Sequence, residues 1–416
     1  MRVTAVRTLL VTAPWTGDPF WAPGESFSPD GEPFARTAAL VQVETDAGLS
    51  GLGEPIMGYF APDTVAPVVD YYGRLLIELE LDPGTPDLCW RELYQRSLWW
   101  GRVGLGLSVL SGIEMALWDI AGKAAGQPVH ELIGGPAHDR LPLYASGGTG
   151  GWPLEQTVEQ ARRYATLGFR GLKIGTGFDG RPGGFTTPPG DPPYGTWYAG
   201  STAERIADER AKFGALREAL GPGIELATDA HAVQVREPWS RSTALDLAQA
   251  IEPFDLIFLE EPLRYDDPEG YAELRRRTRV PIAGGECLTG VGEFRRFLDL
   301  DALDYVQPDA THVGGIGQAR AVARMAEERH VGLIVHTGAA IGPGFLANLH
   351  VAFASPNARF VEYALAPDNV RAELLAEPVR LVDGFMERPS APGLGIELPD
   401  GFIEGHPYRP GTFEYA

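Results

Sequence analysis

Seven ionisable residues recur at nearly regular intervals along the C-terminal two thirds of the chain, each just after a short apolar run. The last five intervals are 31, 26, 23, 27 and 26 residues, which is the length of one strand plus one returning helix. In a closed parallel barrel all strands end on the same face, so residues at the strand ends converge although they are distant in sequence. The seven residues are Lys173, Asp229, Glu260, Glu286, Asp309, His336 and Glu362.

Three of the acids on consecutive predicted strands form a candidate metal site. Asp229 ends ELATD, Glu260 ends LIFLE, and Glu286 ends PIAGGE. Several carboxylates cannot stay ionised together in a pocket that excludes water unless a cation neutralises them. Three hard oxygen ligands, with positions left for water and substrate, suit Mg²⁺ better than zinc. We therefore predict Mg²⁺ at these three acids, and by strand alternation we expect the adjacent Glu261 to point to the opposite face.

The other four residues have the chemistry of proton transfer. A metal between a lysine and an imidazole can hold a carboxylate substrate while its α-proton is removed, and can stabilise the enediolate that forms. Divalent charge nearby lowers an ammonium pKa, so Lys173 can serve as a base, and Asp309 would orient His336 through a hydrogen bond. Glu362, if protonated, could donate to the substrate oxygen that gains charge. For His336 alone, the alternative is a buried histidine with a structural role.

The elements that must position these residues form two domains. Residues 136–367 show the alternating strand and helix patterns of an α/β barrel. A segment rich in glycine and proline interrupts this alternation at 176–200. Residues 1–135 instead show alternating strand patterns followed by three helical patterns, which indicates an α+β domain. We expect residues 368–416 to leave the barrel and complete this second, capping domain.

Composition excludes several classes of function. The chain has 416 residues and a formal net charge of -21, which argues against nucleic acid and anionic membranes as partners. Cys89 and Cys287 are too few for a disulfide framework, and the N-terminus lacks a secretory pattern, so we expect a cytoplasmic protein. The uncharged stretch 331–358 is interrupted by histidine, proline and glycine, and we interpret it as a buried barrel repeat.

Taken together, the motifs resemble the enolase superfamily, in its mandelate racemase and muconate lactonizing branch. The resemblance covers nearly the whole chain. It is carried by GLGEP, ALWDIAGKAAGQPVHELIGG, GLKIG, TDAH, LEEP, GGE, QPDATHVGGI, IVHTG and FVEYA.

The resemblance implies a modified (β/α)₇β barrel under an α+β cap, whose loops near 15–28 and 53–60 close on the distal end of the substrate. It implies that Asp229, Glu260 and Glu286 bind Mg²⁺ and that Lys173 is the base on the second strand. Asp309 with His336 would be the dyad on the opposite face, and Glu362 the electrophilic acid. Related proteins are commonly dimers or octamers, so we expect a homo-oligomer that acts on a small carboxylate.

Two positions depart from the family pattern. The second strand of the family usually reads Lys-x-Lys, whereas this chain has Gly171-Leu172-Lys173. In addition, His231 stands two residues after Asp229, where racemase-like members often have Asn, and we expect the two to share a strand face. The resulting Asp-x-His resembles acid-sugar dehydratases acting on mannonate or galactonate, in which this histidine protonates the departing hydroxyl. His231 could instead hydrogen-bond a substrate oxygen or Glu260.

The sequence therefore predicts a Mg²⁺-dependent acid-sugar dehydratase that removes an α-proton and then the β-hydroxyl, giving a 2-keto-3-deoxy acid. Lys173 or His336 would take the proton, and His231 or His336 would deliver one to the leaving group. The main alternative is a racemase or epimerase, because two bases that face each other across one carbon also suit inversion. A cycloisomerase is the third possibility. A catalytically silent metal-binding scaffold is a fourth, although it would not need Lys173, Asp309 and His336 together.

Overall fold

The N-terminal part of the chain forms a three-stranded antiparallel sheet. A computed structural model describes residues 1–14, 35–146, 154–176, 201–232, 239–338, 340–364 and 368–410. The expected cap loop at 15–28, and all of the glycine- and proline-rich segment 176–200 except Thr176, lie outside these ranges. The sheet has the order β1-β2-β3, with a turn at residues 46–48 between the last two strands. Its strands are β1 Val3–Pro14, β2 Ala35–Thr45 and β3 Ser50–Gly53.

Helices cover this sheet, as the helical patterns predict. Strand β3 packs directly on the longest of them, since an added Cβ at Gly53 would lie 1.8 Å from the carbonyl oxygen of Gly112. Only glycine permits this approach of a strand to a helix backbone. The helices are α1 Met57–Phe60, α2 Val65–Glu78, α3 Pro86–Ser97, α4 Leu105–Ala125 and α5 Val129–Leu132.

Eight parallel strands then close into a barrel, because the last of them pairs with the first. The barrel strands are β4 Arg140–Ser146, β5 Gly171–Gly175, β6 Glu225–Asp229, β7 Leu256–Glu260, β8 Ile282–Gly284, β9 Tyr305–Val306, β10 Gly332–Val335 and β11 Ala358–Ala364. In the described part of the barrel, seven helices alternate with these strands: α6 Leu154–Thr166, α7 Thr202–Leu220, α8 Arg241–Ile251, α9 Pro268–Arg277, α10 Gly290–Asp299, α11 Ile316–Glu327 and α12 Pro343–Phe353. The predicted (β/α)₇β barrel is confirmed.

An apolar layer fills the barrel beneath the strand ends. Tyr144, Ala227, Phe258, Ala283 and Ile334 are completely buried and pack together. Large and small side chains alternate around this layer, as in other filled barrels. Asp229, Glu260 and His336, two positions after Ala227, Phe258 and Ile334, therefore lie directly above an apolar layer.

The C-terminal segment contacts both parts of the molecule. Helix α13 Asp368–Leu374 is followed by the short strands β12 Leu381–Val382 and β13 Phe385–Glu387, and then by helix α14 Phe402–Gly405. Strand β13 pairs with barrel strand β4, whereas Pro407 forms a bridge to Val11 of the N-terminal sheet. The assignment of 368–416 to the cap remains a prediction.

Among the described residues one helix, α4, is long and apolar enough to cross a membrane by length and composition. Of its most apolar window, 94% is buried inside the protein. Stretch 331–358 contains β10 and α12, as expected for a barrel repeat.

Candidate active site at the mouth of the barrel

Three carboxylates from consecutive strands meet at the mouth of the barrel. Asp229 and Glu260 are the last residues of β6 and β7, and Glu286 follows β8. One oxygen atom of each lies within 4.8 Å of the others, and all three side chains are buried. The spacing of acids along the sequence thus corresponds to one cluster in space.

The chemistry of this cluster fits a divalent cation. Burial and the nearby carboxylates raise the pKa of Asp229 to about 6 and that of Glu260 to about 7, although Lys173 opposes the rise in both. Oxygen Oε1 of Glu260 is buried and has no hydrogen-bond partner among the described residues. A divalent ion would relieve this repulsion and use that oxygen. Three carboxylates form a hard oxygen set of the kind that Mg²⁺ prefers.

Lys173 lies among the acids on the β5 side of the mouth. Its Nζ is 2.8 Å from Glu260 Oε2, 3.0 Å from Asp229 Oδ2 and 3.0 Å from Glu362 Oε1. Burial alone would lower the pKa of Lys173, but these three carboxylates outweigh it and raise that pKa well above its usual value. In this arrangement Lys173 is an ammonium ion that can donate a proton or hold a carboxylate.

His336 and Asp309 form a dyad on the other side. His336 Nδ1 is 2.8 Å from Asp309 Oδ2, and His336 Nε2 is 3.4 Å from Glu286 Oε2. Asp309 Oδ1 accepts hydrogen bonds from the amide and hydroxyl of Thr311 and from Asn348 Nδ2. With Asp309 fixed as an acceptor, Nδ1 of His336 carries a proton and Nε2 faces the acid cluster.

Neighbouring charges and hydrogen bonds also shift the pKa values of His336 and Asp309. Burial would lower the pKa of His336, but Glu286, Asp309 and Glu362 together raise it well above its usual value. Burial would raise the pKa of Asp309, but the hydrogen bonds from His336, Asn348 and Thr311 hold it below its usual value. Asp309 is therefore a stable carboxylate beneath the ring.

Glu362 is a carboxylate in this structure. Its Oε2 accepts the Thr337 N–H at 2.8 Å, and its Oε1 contacts Lys173. Burial raises the pKa of Glu362, but Lys173, His336 and the hydrogen bonds from Thr337 and Ser146 outweigh it and lower the pKa to about 2. Donation by Glu362 to a substrate would thus require a proton supplied by a neighbour.

His231 reaches the cluster by a route that strand alternation does not describe. Strand β6 ends at Asp229, and His231 has a left-handed φ of 45°. Its amide N–H donates to Asp229 Oδ1 at 3.0 Å, and its Nδ1 is 3.2 Å from the same oxygen. Burial lowers the pKa of His231 to about 4. The ring is therefore neutral and adjacent to the acids.

The expectation for Glu261 is wrong for the same reason. Glu261 follows the last residue of β7 and has a φ of 44°, so strand alternation does not set the direction of its side chain. A carboxylate oxygen of Glu261 lies within 4.8 Å of one from Glu286. Its Oε1 also accepts the Tyr265 hydroxyl at 2.7 Å, so the predicted hydrogen bond is present.

Gly171, where the family usually has the first lysine of the second strand, lies too close to a neighbouring strand to carry a side chain without a shift. Gly171 is in register with Tyr144 on the neighbouring strand. A Cβ at position 171 would lie 2.9 Å from the Cβ of Tyr144, which is closer than real Cβ atoms approach one another. Tyr144 therefore occupies the space beside Gly171, and Lys173 is the lysine that strand β5 contributes to the mouth.

Sequence reasoning did not identify the residues that hold the segment after His336. Glu54, in the GLGEP motif of the cap, accepts backbone N–H groups of Ile341, Gly342 and Gly344 at 2.7, 3.2 and 3.0 Å. Arg36 of β2 donates to the Gly338 carbonyl at 2.7 Å. The cap thus binds the segment that carries His336 into α12. An acid directly after the tightly packed β3 was the available signal.

Comparison with known proteins agrees with this geometry. Residues 34–134 match the family described as the mandelate racemase / muconate lactonizing enzyme N-terminal domain, and residues 156–401 match the enolase C-terminal domain-like family. A D-galactonate dehydratase of Xanthomonas euvesicatoria pv. vesicatoria is 32% identical over 372 residues, which cover 88% of this chain and 90% of that protein.

Two further proteins have different activities on similar scaffolds. An arabinonate dehydratase of Saccharolobus solfataricus is 29% identical over 365 residues, covering 87% of this chain and 88% of that protein. The crystal structure of a 3,6-anhydro-D-galactonate cycloisomerase from Zobellia galactanivorans superposes with a TM-score of 0.79 at 26% identity, covering 98% and 99% of the two chains. On these matches, this chain belongs to the enolase superfamily, in its mandelate racemase and muconate lactonizing enzyme group.

Proposed function

We propose that the protein is a Mg²⁺-dependent acid-sugar dehydratase that converts an aldonate or aldarate to a 2-keto-3-deoxy acid. The observation that carries the proposal is the position of the His336–Asp309 dyad, whose Nε2 faces Glu286 of the acid cluster at 3.4 Å. Relatives named D-galactonate and arabinonate dehydratase support the substrate class. The protein would be a lyase of the cytoplasm.

Asp229, Glu260 and Glu286 are the residues that would hold the cation. When bound, Mg²⁺ would supply positive charge for the substrate carboxylate as its α-carbon loses a proton. The remaining chemistry belongs to side chains of this chain. His336 Nε2 and Lys173 Nζ lie on two sides of the acids, so either can exchange a proton with a substrate held between them.

The configuration at C2 of the substrate decides which of these two groups takes the α-proton. His336 would serve one face, with Asp309 keeping the ring oriented, and Lys173 would serve the other. Both groups are protonated in this structure, so each would act as a base only after positive charge at the acids had lowered its pKa and it had released its proton. His336 or His231 would then deliver a proton to the departing β-hydroxyl. Lys173, 3.0 Å from Glu362 Oε1, can supply the proton that Glu362 needs in order to donate to a substrate oxygen.

A racemase or epimerase is the second candidate, and a specific observation favours it. Lys173 and His336 contact different members of one acid cluster, which is the arrangement required for proton removal on one face and return on the other. The cycloisomerase similarity adds a third outcome. All three reactions begin with removal of an α-proton, so they differ only in their later steps.

Product analysis separates these functions. Purified protein with Mg²⁺ should be incubated with a panel of mono- and diacid sugars in D₂O. A dehydratase produces a keto acid that reacts with semicarbazide, whereas a racemase or epimerase incorporates deuterium at C2 without loss of water. If wild type and the variants Lys173→Ala and His336→Asn all show only background exchange across the panel, the chain is a silent metal-binding scaffold.

A further inference from the structure

A second group of potential metal ligands lies next to the acid cluster. Glu261, Glu286 and Cys287 each offer one ligand atom, and the three atoms lie within 4.8 Å of one another. Cys287 is exposed to solvent, whereas Glu261 is completely buried. Glu286 belongs to both groups, so the two share one carboxylate.

Glu261 has an unused oxygen in this group. Its Oε1 accepts the Tyr265 hydroxyl, but its Oε2 is buried and has no hydrogen-bond partner among the described residues. A buried polar atom without a partner is destabilising, so such atoms in native proteins call for an explanation.

The ligand types select a different metal from the first cluster. A cysteine thiolate is a soft ligand that Mg²⁺ does not prefer, whereas Zn²⁺ and Cd²⁺ bind thiolate and carboxylate together. The exposed Cys287 gives such an ion a route from solvent. On binding, the sulfur–metal bond forms as the Cys287 thiol loses its proton to solvent.

We propose that Glu261, Glu286 and Cys287 form a second metal site that binds a thiophilic divalent cation such as Zn²⁺. Because Glu286 is shared, an ion at this site withdraws a ligand from the Mg²⁺ cluster. Zinc therefore inhibits the enzyme in competition with magnesium. The competition depends on the proposed function, whereas binding at the second site does not.

Cadmium absorbance tests the site without any measurement of activity. A Cd²⁺–thiolate bond produces an ultraviolet charge-transfer band. The chain has two cysteines, and Cys89 is buried in the cap with Sγ 3.3 Å from the Asp82 carbonyl. We expect the band in wild type and in Cys89→Ser, and we expect it to be lost in Cys287→Ser. A band that survives in Cys287→Ser would overturn the proposal.

The carboxylate contribution needs its own variant. Glu261→Gln keeps the shape of the side chain but removes its charge, so the band should remain while Cd²⁺ binds roughly tenfold more weakly or worse. Equal Cd²⁺ affinity in Glu261→Gln and wild type would mean that Cys287 binds the ion without Glu261, and the site as proposed would be wrong.

Competition then connects the two sites. Added Mg²⁺ should raise the apparent dissociation constant for Cd²⁺ in wild type, because both ions use Glu286. If Mg²⁺ leaves Cd²⁺ affinity unchanged although the band depends on Cys287 and Glu261, the sharing of Glu286 is wrong while the second site stands. If the enzyme converts no acid sugar but the band behaves as expected, the proposed function fails and the metal site does not.

Discussion

The two sides of the acid cluster hold their proton-transfer groups by different means. On one side Lys173 contacts three carboxylates, and no other hydrogen-bond partner fixes its ammonium group among the described residues. On the other side His336 is bonded to Asp309, which is itself held by Thr311 and Asn348.

The His336 ring is thus held by a chain of hydrogen bonds, whereas the Lys173 ammonium group is held by one hydrogen bond to Glu260 and by charge attraction to three carboxylates. Hydrogen bonds require particular angles, so a chain of them fixes a ring in one orientation. Charge attraction falls slowly with distance and permits many orientations. We expect the His336 side to be preorganised for catalysis and the Lys173 side to respond to whatever charge enters the mouth.

Substitution of His336 in the dyad should lower proton exchange more than any other change considered. His336→Asn removes the ring that can exchange the α-proton and should lower exchange at C2 of a substrate served on that face by about 10²- to 10⁴-fold. Deuterium incorporation followed by NMR measures this. His406→Asn is the matched control, because His406 bonds the Phe402 carbonyl far along the chain from the mouth. Unchanged exchange in His336→Asn would show that the dyad does not transfer the proton.

Loss of the support beneath the dyad should cost less. Asn348 donates to Asp309 and accepts the Ala310 N–H, so Asn348→Ala leaves Asp309 free to shift. We expect kcat to fall by about 10²-fold with little change in KM, because displacement of a catalytic group by about 1 Å has that effect.

Asn357→Ala provides the control for this variant. The Asn357 amide donates to the carbonyls of Ala323 and Val331, so its removal also deletes two hydrogen bonds of an asparagine but none near the dyad. If both variants lose kcat equally, the effect of Asn348 is on stability and the orientation argument fails.

On the Lys173 side of the acid cluster, we expect a substitution to change the affinity for metal. The Lys173 ammonium contacts Asp229 and Glu260, two of the proposed cation ligands. Lys173→Met should therefore strengthen Mg²⁺ binding by about tenfold, because a competing positive charge is removed. Lys212→Met is the control, since Lys212 is also buried but donates to the Gly175 carbonyl and pairs with Glu209. Weaker Mg²⁺ binding in Lys173→Met would contradict the comparison.

A smaller effect is expected away from the acid cluster, where a buried histidine pair should make the folded state less stable at acidic pH. His130 and His350 are buried with their Nδ1 atoms 3.0 Å apart, and burial lowers their pKa values to about 4 and about 3. Between about pH 6.5 and pH 4 the unfolded chain binds protons that the folded chain does not. The contribution of these two histidines to the free energy of unfolding is therefore fully present above about pH 6.5 and is lost as the pH falls through this window.

Urea unfolding across this pH range measures the effect. The double variant His130→Asn/His350→Asn should show a shallower loss of stability on acidification than wild type. An identical slope in the two proteins would mean that these histidines are not the acid-sensitive pair.

The sequence was a sound guide wherever a residue ends a regular strand. Asp229 and Glu260 were predictable because each is the last residue of a parallel strand, and all such ends lie on one face. Alternation failed at Glu261, because β7 ends just before it and its backbone has a left-handed conformation. His231 also lies beyond the end of its strand with a left-handed φ, yet its ring contacts Asp229 as expected.

Contacts between distant segments could not be predicted. Glu54 and the segment after His336 are separated by almost the whole barrel in sequence, and no local pattern encodes their hydrogen bonds. Asn348 likewise looks in the sequence like a polar interruption of an apolar helix, yet it supports Asp309. The proton state of Glu362 also depends on neighbours from other strands.

Asp229, Glu260 and Glu286 are proposed to bind one divalent cation on which the chemistry depends. Calorimetric titration of Mg²⁺ into wild type and Glu260→Gln tests this claim. We predict one Mg²⁺ per chain in wild type and loss of this binding in Glu260→Gln. Equal Mg²⁺ binding by the two proteins, or none by wild type, would contradict the claim.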